Sequence, residues 1–307
     1  MKHIFKKTIF LLSVIVITFI SYQGFDFYKD FYIKKNKQAQ TNKEIKIPFQ
    51  ETKTILVLGA DSLVPGKLAG WRGRSDFIAV VFLDPNQDKV HIMSVPRDTK
   101  VSLKNYDINR INAANQLGGY KFAKRAVNQL LGIKIDHVFV FSLEAALEMF
   151  DTLGEVKIFV PQEMYYNDNK ANLHINIKPG LQTMDARELM NFVRFRNKDR
   201  GDIARIERQQ VFFRAALRKI KEPEVVFRIP DFLFKANKVF QTDMDFSEMF
   251  QLGLLFRSME LEDIESHIVP GDFGSDGSWI VKKLELQAIM DSIKHGYKSQ
   301  ANSQKKN

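Results

Sequence analysis

The apolar positions of the chain fall into short continuous runs that alternate with longer segments of helical periodicity. The short runs are typical of buried strands and occupy 54–58, 77–83, 90–95, 138–142 and 156–160. Apolar residues recur at helical spacing over 113–131, 144–153, 185–195 and 202–220. Strands that alternate with helices predict an α/β fold whose sheet is covered by helices.

Turn and cap residues mark the ends of these elements. Gly132 and Gly154 each follow a helical segment, a position where glycine commonly ends a helix, and Asp202 is the predicted N-cap of the last helix. Residues 84–86 (DPN) predict a turn, so that 82–92 forms a hairpin.

The chain beyond residue 222 adds elements of both types. We expect them over 225–229 (strand), 246–258 (helix) and 279–294. The globular part accordingly divides into a main domain, a C-terminal part packed on the same domain and a polar, frayed tail, over 53–221, 222–297 and 298–307.

The N-terminal segment predicts a membrane anchor. An apolar stretch and its aromatic flank over 9–28 together reach the length of a membrane-spanning helix, and the lysines within 1–8 favour a cytoplasmic N-terminus. The competing interpretation is a cleaved signal peptide, but 21–25 (SYQGF) offers no good cleavage site between small residues. We therefore expect a single-pass type II protein of the cell membrane, with its domain outside the cytoplasm behind a polar linker (29–52).

The composition narrows the function classes. The 307 residues include 46 Lys and Arg and 36 Asp and Glu, which gives a net charge of +10. A charge of this sign suits nucleic acid, anionic lipid head groups or phosphorylated substrates as partners. The absence of cysteine excludes zinc fingers, thiol nucleophiles, iron–sulfur clusters and disulfides. The six histidines show no metal-ligand spacing, and we expect them to be structural.

Polar clusters stand at the ends of the apolar elements, at 59–61 (GAD), 73–76 (GRSD), 95–99 (VPRDT) and 193–210. Strand ends are where α/β proteins usually bind ligands. Asp61 and Asp76 flank a glycine-rich segment with no histidine or cysteine nearby. Two such carboxylates suit a hard cation, above all Mg²⁺ shared with phosphate oxygens, although either aspartate alone would equally serve as a turn or cap residue.

The last cluster contains arginines two residues apart. In an extended segment Arg194 and Arg196 point to the same side and form a fork for a phosphate group. On a helix they diverge by about 200° and act as two solvated arginines at a helix end. Gln210 lies near the apolar side set by Ile206 and Phe213, a costly place for an amide unless it finds a hydrogen-bond partner.

Taken together, the clusters resemble the LytR-CpsA-Psr family of bacterial envelope proteins. The matching positions, in family order, are Gly59-x-Asp61, 73–76 (GRSD), 94–99 (SVPRDT), 110–113 (RINA), Gly118-Gly119, Gly180, Arg194-x-Arg196 and 202–210 (DIARIERQQ). Two departures fall in turns: Gly154-Glu155 stands where the family usually has Gly-Gly, and 184–186 (MDA) where it usually has Leu-x-Gly. The resemblance implies an α/β/α domain with a mixed central sheet behind a single N-terminal transmembrane helix.

The resemblance also implies an extracytoplasmic transferase. Such enzymes move a glycopolymer, wall teichoic acid or a capsule-like polysaccharide, from an undecaprenyl-diphosphate carrier at the cytoplasmic membrane to peptidoglycan. Asp61 and Asp76 would hold the Mg²⁺ cofactor, and Asp76 or Asp98 would act as base. The remaining implied site residues, at or beside the diphosphate, are Arg74, Arg97, Arg110, Asn112, Arg194, Arg196, Arg205 and Gln210. Arg97 is also implied to be catalytic.

Three other interpretations use the same features. A phosphatase or pyrophosphatase acting on the same lipid carrier differs only in taking water as acceptor. A noncatalytic, lipid-binding envelope scaffold needs no turnover. A nucleic-acid-binding regulator is permitted by the charge, but the chain lacks a helix-turn-helix or an aromatic-lined strand motif, and we expect no nucleic-acid partner.

Overall fold

The computed structural model describes residues 52–60, 72–83, 89–102, 109–142, 146, 151–152, 154–169, 173–195, 201–222, 224–225 and 240–301. The expected anchor and nearly all of the linker lie outside these residues, as do most of the helix expected over 144–153 and of the strand expected over 225–229. Within the described part of the chain, no helix combines the length and the apolar character needed to cross a membrane.

The strands of these residues are β1 (Lys53–Ala60), β2 (Ser75–Leu83), β3 (Val90–Ser94), β4 (His137–Ser142), β5 (Val156–Val160), β6 (Met164–Asp168), β7 (Leu173–Ile177), β8 (Gly180–Met184), β9 (Phe240–Thr242), β10 (Ile264–Ile268), β11 (Gly271–Phe273) and β12 (Trp279–Val281). The helices with described bounds are α1 (Ala113–Leu131), α2 (Ala186–Arg194), α3 (Gly201–Ile220), α4 (Phe246–Ser258) and α5 (Lys283–Ala301). A short 3₁₀ helix, Leu261–Asp263, precedes β10.

A mixed sheet of six strands, in the order β10-β3-β2-β1-β4-β9, forms the centre of the fold. β1 pairs antiparallel with β2 and parallel with β4, while β3 pairs antiparallel with β2 and parallel with β10. β9 pairs antiparallel with β4. The expected α/β fold with a mixed central sheet is therefore confirmed. The antiparallel strands of the hairpin expected over 82–92 are confirmed as well, whereas its expected turn (84–86) lies outside the described residues.

One face of this sheet carries the main hydrophobic core. Alternate residues of its strands, such as Leu56, Val80 and Val140, are buried on that face because successive side chains of a strand point to opposite sides. Phe122 of α1 and Ile293 of α5 pack into the same core. The apolar runs are thereby used for packing, and the polar residues that follow them are left at the strand ends.

A second core lies among the antiparallel pairs β5–β8 and β6–β7 and the helices α2 and α3. Phe192 of α2 is its most buried large side chain, and Ile158 of β5 packs in the same cluster. Asp185 begins α2 with a capping box, since its carboxylate accepts from the Glu188 amide at 2.8 Å. α3 begins at Gly201, so the expected N-cap Asp202 lies inside the helix instead of before it.

The C-terminal part of the chain completes the central sheet. β9 and β10 form its two edges, so residues beyond 240 are integral to the same domain. β12 also reaches the loop after β3, because the Trp279 amide donates to the Asp98 carbonyl at 2.9 Å and the Lys100 amide donates to the Trp279 carbonyl at 2.9 Å. α5 continues to Ala301, so residues 298–301, expected to be frayed, are helical.

The first helix is bent at a glycine. α1 ends as expected at Leu131, where Gly132 adopts a left-handed conformation, but it is interrupted at Gly119, which has φ 67° and ψ −174°. This region of backbone space is essentially restricted to glycine. The bend separates the first turns of α1, which carry Asn115 and Gln116, from the part of the helix that fills the core.

We predict that Gly119→Ala lowers the free energy of unfolding by about 1–3 kcal/mol, because alanine disfavours this backbone conformation. A steric clash is not the cause, since the nearest atom to an added Cβ is Arg72 Nε at 3.7 Å. The matched control is Gly253→Ala in α4, where the added Cβ meets open space. This substitution should stabilise the helix by about 0.5–1 kcal/mol, because alanine loses less conformational freedom than glycine on folding. Chemical denaturation of the full chain measures both, and an unchanged midpoint for Gly119→Ala would contradict the prediction.

Candidate functional site

The loop that follows β3 is fixed by backbone hydrogen bonds to distant parts of the chain. The Arg97 carbonyl accepts from the Asn112 amide at 3.0 Å, and the Thr99 carbonyl accepts from the Ile111 amide at 2.9 Å. The bond from the Trp279 amide holds the Asp98 carbonyl between them. Since every carbonyl from 97 to 99 is engaged, the backbone that carries Arg97 and Asp98 is held in one conformation.

A chain of ion pairs runs through the end of this loop. Arg97 Nη1 lies 2.7 Å from Asp76 Oδ1, and Arg97 Nε lies 3.4 Å from Asp98 Oδ2. Arg110 Nη1 contacts the other oxygen, Asp98 Oδ1, at 3.1 Å. The side chains of Arg97, Asp76 and Asp98 are only 20%, 17% and 16% exposed, so their charges interact more strongly than an exposed pair would.

These charges line a cavity of about 690 Å³. Four arginines and two aspartates lie on its wall: Arg72, Arg74, Arg97, Arg110, Asp76 and Asp98. The described wall therefore carries an excess of two positive charges. A recessed site with this excess suits a polyanion, because arginine donors match the geometry of phosphate oxygens.

The N-terminus of α1 faces the same cavity. Asn112, which precedes the helix, lines the cavity together with Ala113 and Gln116 of the first turn. Gln116 Oε1 accepts from Arg74 Nε at 3.3 Å. The N-cap and the first turn of α1 therefore contribute polar side chains to the cavity wall.

Two predicted residues of α3 approach the site from behind its wall. Arg205, which is 4% exposed, donates from Nη2 to the Asp76 carbonyl at 3.3 Å. Gln210 donates from Nε2 to Ser94 Oγ at 3.2 Å, so its amide has the hydrogen-bond partner that its position required. Neither residue is among the described residues of the cavity wall. Arg205 and Gln210 hold the ends of β2 and β3 that carry Asp76 and lead to Arg97.

Arg208 supports the end of α2 from inside the protein. It is 6% exposed, lies 5.4 Å from the centre of the Phe195 ring and donates to the Phe195 carbonyl. Burial, with the nearby positive charge of Arg205, lowers the pKa of Arg208 to about 10. Phe195 directly follows Arg194, so Arg208 fixes the point where that predicted site residue leaves the helix.

Three of the predicted site residues are not seen at the cavity. Arg194 is the last residue of α2, and Phe195 is already extended, with φ −53° and ψ 136°. Arg194 is not among the described residues of the cavity wall. Arg196 and Asp61 lie outside the described residues, so the arginine fork and the aspartate pair remain predictions.

The cavity also contains residues that the sequence patterns did not indicate. Arg72, Asn109 and Gln116 line it beside the expected residues. Gln116 lies four residues after Asn112, one helical turn away, which is a spacing that could have identified it. Arg72 lies two residues before Arg74, and no pattern separates it from a solvated arginine.

The donor set of the cavity suits a hard cation better than a soft one. Asp76 and Asp98 offer carboxylate oxygens, and the described wall contains no histidine. Oxygen ligands of this kind bind Mg²⁺, which also accepts phosphate oxygens from a substrate. Asp76 already contacts Arg97, so a cation there would share the carboxylate with that guanidinium.

Comparison with known proteins identifies the family of the chain. The model of the LytR_cpsA_psr family matches residues 20–295. The chain belongs to the LytR-CpsA-Psr family. The predicted family membership is therefore confirmed, and the match extends well beyond the motifs over 54–220 into the C-terminal part that completes the sheet.

Relatives of the LytR-CpsA-Psr chain carry two kinds of name. "Regulatory protein MsrR" of Staphylococcus aureus (strain Mu50) is 30% identical over 249 residues, which are 78% of this chain and 74% of that protein. "Polyisoprenyl-teichoic acid--peptidoglycan teichoic acid transferase TagV" of Bacillus subtilis (strain 168) is 24% identical over 290 residues, 88% of this chain and 72% of that one. The crystal structure of B. subtilis TagV superposes with a TM-score of 0.67 at 22% identity, covering 81% of this chain and 98% of that chain, which shows a shared fold.

We predict that inorganic pyrophosphate binds in the cavity and raises the melting temperature of the full chain by about 5 °C at saturation. Arg97→Ala should remove most of this rise, because Arg97 faces the cavity between two carboxylates. Arg187→Ala on α2 is the matched control, since it removes one exposed arginine of the same charge. Equal pyrophosphate-induced shifts in the wild type and in Arg97→Ala, measured by thermal denaturation, would contradict an anion site at this loop.

Proposed function

We propose that the chain is an extracytoplasmic transferase that moves a glycopolymer from an undecaprenyl-diphosphate carrier to peptidoglycan. Membership of the LytR-CpsA-Psr family supports this proposal, as does the name of TagV, which describes transfer of teichoic acid from a polyisoprenyl carrier to peptidoglycan. The glycopolymer is a wall teichoic acid or a capsule-like polysaccharide.

The observation that carries the proposal is the charge of the cavity. A diphosphate substituted at both ends carries a negative charge on each phosphate. The described wall has an excess of two positive charges, so a bound diphosphate would neutralise it. Asp76 and Asp98 hold Arg97 and Arg110 in place before substrate arrives, which lowers the cost of organising these two arginines around the anion.

The proposed reaction transfers the glycopolymer and its phosphate from the carrier to a hydroxyl group of peptidoglycan. A hydroxyl oxygen of peptidoglycan attacks the phosphorus that bears the glycopolymer, and a phosphodiester bond forms. The bond from that phosphorus to the bridging oxygen breaks, and the polyprenyl phosphate leaves with the bonding electrons. The hydroxyl proton passes to a carboxylate, Asp76 or Asp98. The diphosphate linkage is itself activated, so no nucleotide is consumed.

Arginine side chains stabilise the charge that develops on the leaving phosphate. Arg97 and Arg110 lie on either side of Asp98 and face the cavity, and Arg74 lies on the same wall. Fixed cationic donors of this kind stabilise a transition state more than water does, because they need no reorganisation. Arg205 acts as a positioning residue through the Asp76 carbonyl, and Arg194 and Arg196 extend the proposed cluster.

We also propose a Mg²⁺ cofactor held by Asp61 and Asp76. The oxygen-only donor set of the described wall supports this choice. When bound, the cation supplies Lewis-acid stabilisation of the phosphate oxygens. Residues 9–28 are the proposed anchor that keeps the domain at the outer surface of the cytoplasmic membrane, where the lipid carrier is found.

We predict that the purified full chain joins saccharide to peptidoglycan fragments when it is given an undecaprenyl-diphosphate-linked saccharide and Mg²⁺. Arg97→Ala should slow formation of the adduct by about 100-fold or more, since one charged donor to the transition state contributes about 3 kcal/mol. Arg187→Ala, on the exposed side of α2, should leave the rate unchanged. Mass spectrometry of the fragments measures the adduct.

Two outcomes of this assay would overturn the transferase. Release of free saccharide without an adduct would show that water is the acceptor and would make the chain a hydrolase. The second outcome is that the wild type and Arg97→Ala bind the lipid-linked saccharide equally and neither turns it over. This result would make the chain a noncatalytic scaffold.

The metal proposal has its own test. The transfer rate of the wild type should rise with Mg²⁺ concentration and reach a plateau, whereas Asp76→Ala should show a low rate that no longer depends on Mg²⁺. An unchanged Mg²⁺ titration in Asp76→Ala would rule out the assignment of Asp76 as a metal ligand, and the melting temperature of the variant shows whether it is folded.

A further inference from the structure

Three metal-ligand side chains meet at the edge of the central sheet, away from the arginine-lined cavity. His91 lies on β3 and is directly opposite Glu265 of the parallel strand β10. His267 follows Glu265 by two residues, so it projects from the same face of β10. No local sequence pattern indicates this group, because 176 residues separate His91 from His267.

The distances within the group suit one bound ion. His91 Nδ1 is 3.3 Å from His267 Nε2 and 3.3 Å from Glu265 Oε2. The three ligand atoms all lie within 4.8 Å of one another. A tetrahedral Zn²⁺ with bonds of about 2.0–2.1 Å holds neighbouring ligand atoms about 3.3–3.4 Å apart. Two of the three separations therefore already have the length that a shared zinc ion requires.

A hydrogen bond alone explains less of this arrangement. Both 3.3 Å separations belong to the same ring nitrogen, His91 Nδ1. One proton on that nitrogen can be donated to His267 Nε2, but it does not account for the approach of Glu265 Oε2 as well. A single ion bound by all three atoms accounts for both separations.

A neighbouring lysine fixes the orientation of the carboxylate in this group. Lys89 donates to Glu265 Oε1, which leaves Oε2 directed at His91. The Glu265 side chain is 37% exposed, which leaves room for a water molecule as fourth ligand.

We propose that His91, Glu265 and His267 form a binding site for a divalent transition metal, with Zn²⁺ as its preferred ion. Two imidazoles and one carboxylate suit Zn²⁺ better than Mg²⁺, which takes oxygen ligands. The proposal differs, for His91 and His267, from the expectation that the histidines are structural. It is separate from the proposed Mg²⁺ site and does not rest on the proposed function.

The position of the site indicates what the ion would do. β3 runs from His91 to Ser94 and continues directly into the loop that carries Arg97. β10 belongs to the C-terminal part of the chain. A metal ion would therefore join the two strands across the edge of the sheet and restrain the strand that leads into the cavity.

Titration of the full chain with Zn²⁺ tests the proposal. The chain is prepared without a histidine tag, stripped with a chelator and followed by calorimetry and thermal denaturation at about pH 7.5. The wild type should bind one Zn²⁺ and gain several degrees in melting temperature, and the chelator should reverse the gain. His267→Asn and Glu265→Gln should each weaken binding by at least about tenfold, because each removes one ligand.

His174→Asn is the matched control, since His174 is an exposed histidine on β7 and should leave the Zn²⁺ affinity unchanged. Co²⁺ provides an independent signal, because a tetrahedral site gives visible absorption that both ligand variants should lose. A cooperative melting transition of each metal-free variant shows that it is folded. If one variant does not fold, the Zn²⁺ affinity of the other variant tests the proposal. Equal Zn²⁺ affinity and stoichiometry in the wild type and the folded variants would overturn the proposal, as would the absence of a reversible melting shift.

Discussion

The site depends on the way the backbone of residues 97–99 is tied down. Each carbonyl of this loop accepts a hydrogen bond from a different neighbour, two just before α1 and one in β12. Ion pairs restrain the side chains alone, so the backbone hydrogen bonds are needed to hold the loop itself. With the backbone fixed, Arg97 and Asp98 have one orientation, and the pairs with Asp76 and Arg110 can form at little entropic cost.

Charge compensation explains why so many arginines can gather here. Each guanidinium that leaves water must find an acceptor, since an unpaired buried charge is strongly destabilising. Asp76 and Asp98 satisfy part of this need, and the Phe195 carbonyl and ring do the same for Arg208. The two aspartates leave the cavity with positive charge in excess, so the arrangement is stable enough to fold and still attracts an anion.

Local patterns predicted the elements of the central sheet well. The strands before Gly59, Asp84 and Pro96 and the helix that ends at Gly132 occupy almost the expected positions, because continuous apolar runs and glycine stops are local signals. Short, half-exposed strands such as β6, β9 and β11 have no such run. The grouping of Asp76, Arg97 and Arg110 followed from a family resemblance. The grouping of His91 with His267 depends on the register of two distant strands, which no local pattern contains.

The use of C-terminal strands at both edges of the sheet has a consequence for biosynthesis. A ribosome releases residues 53–142 long before β9, β10 and β12 exist, so the nascent sheet has open edges and an unsupported loop at residue 98. Contacts over such long sequence separations form slowly. The hydrogen bond that holds the Asp98 carbonyl therefore forms only after residue 279 has been made, and a chain that ends before β12 lacks this restraint on the loop.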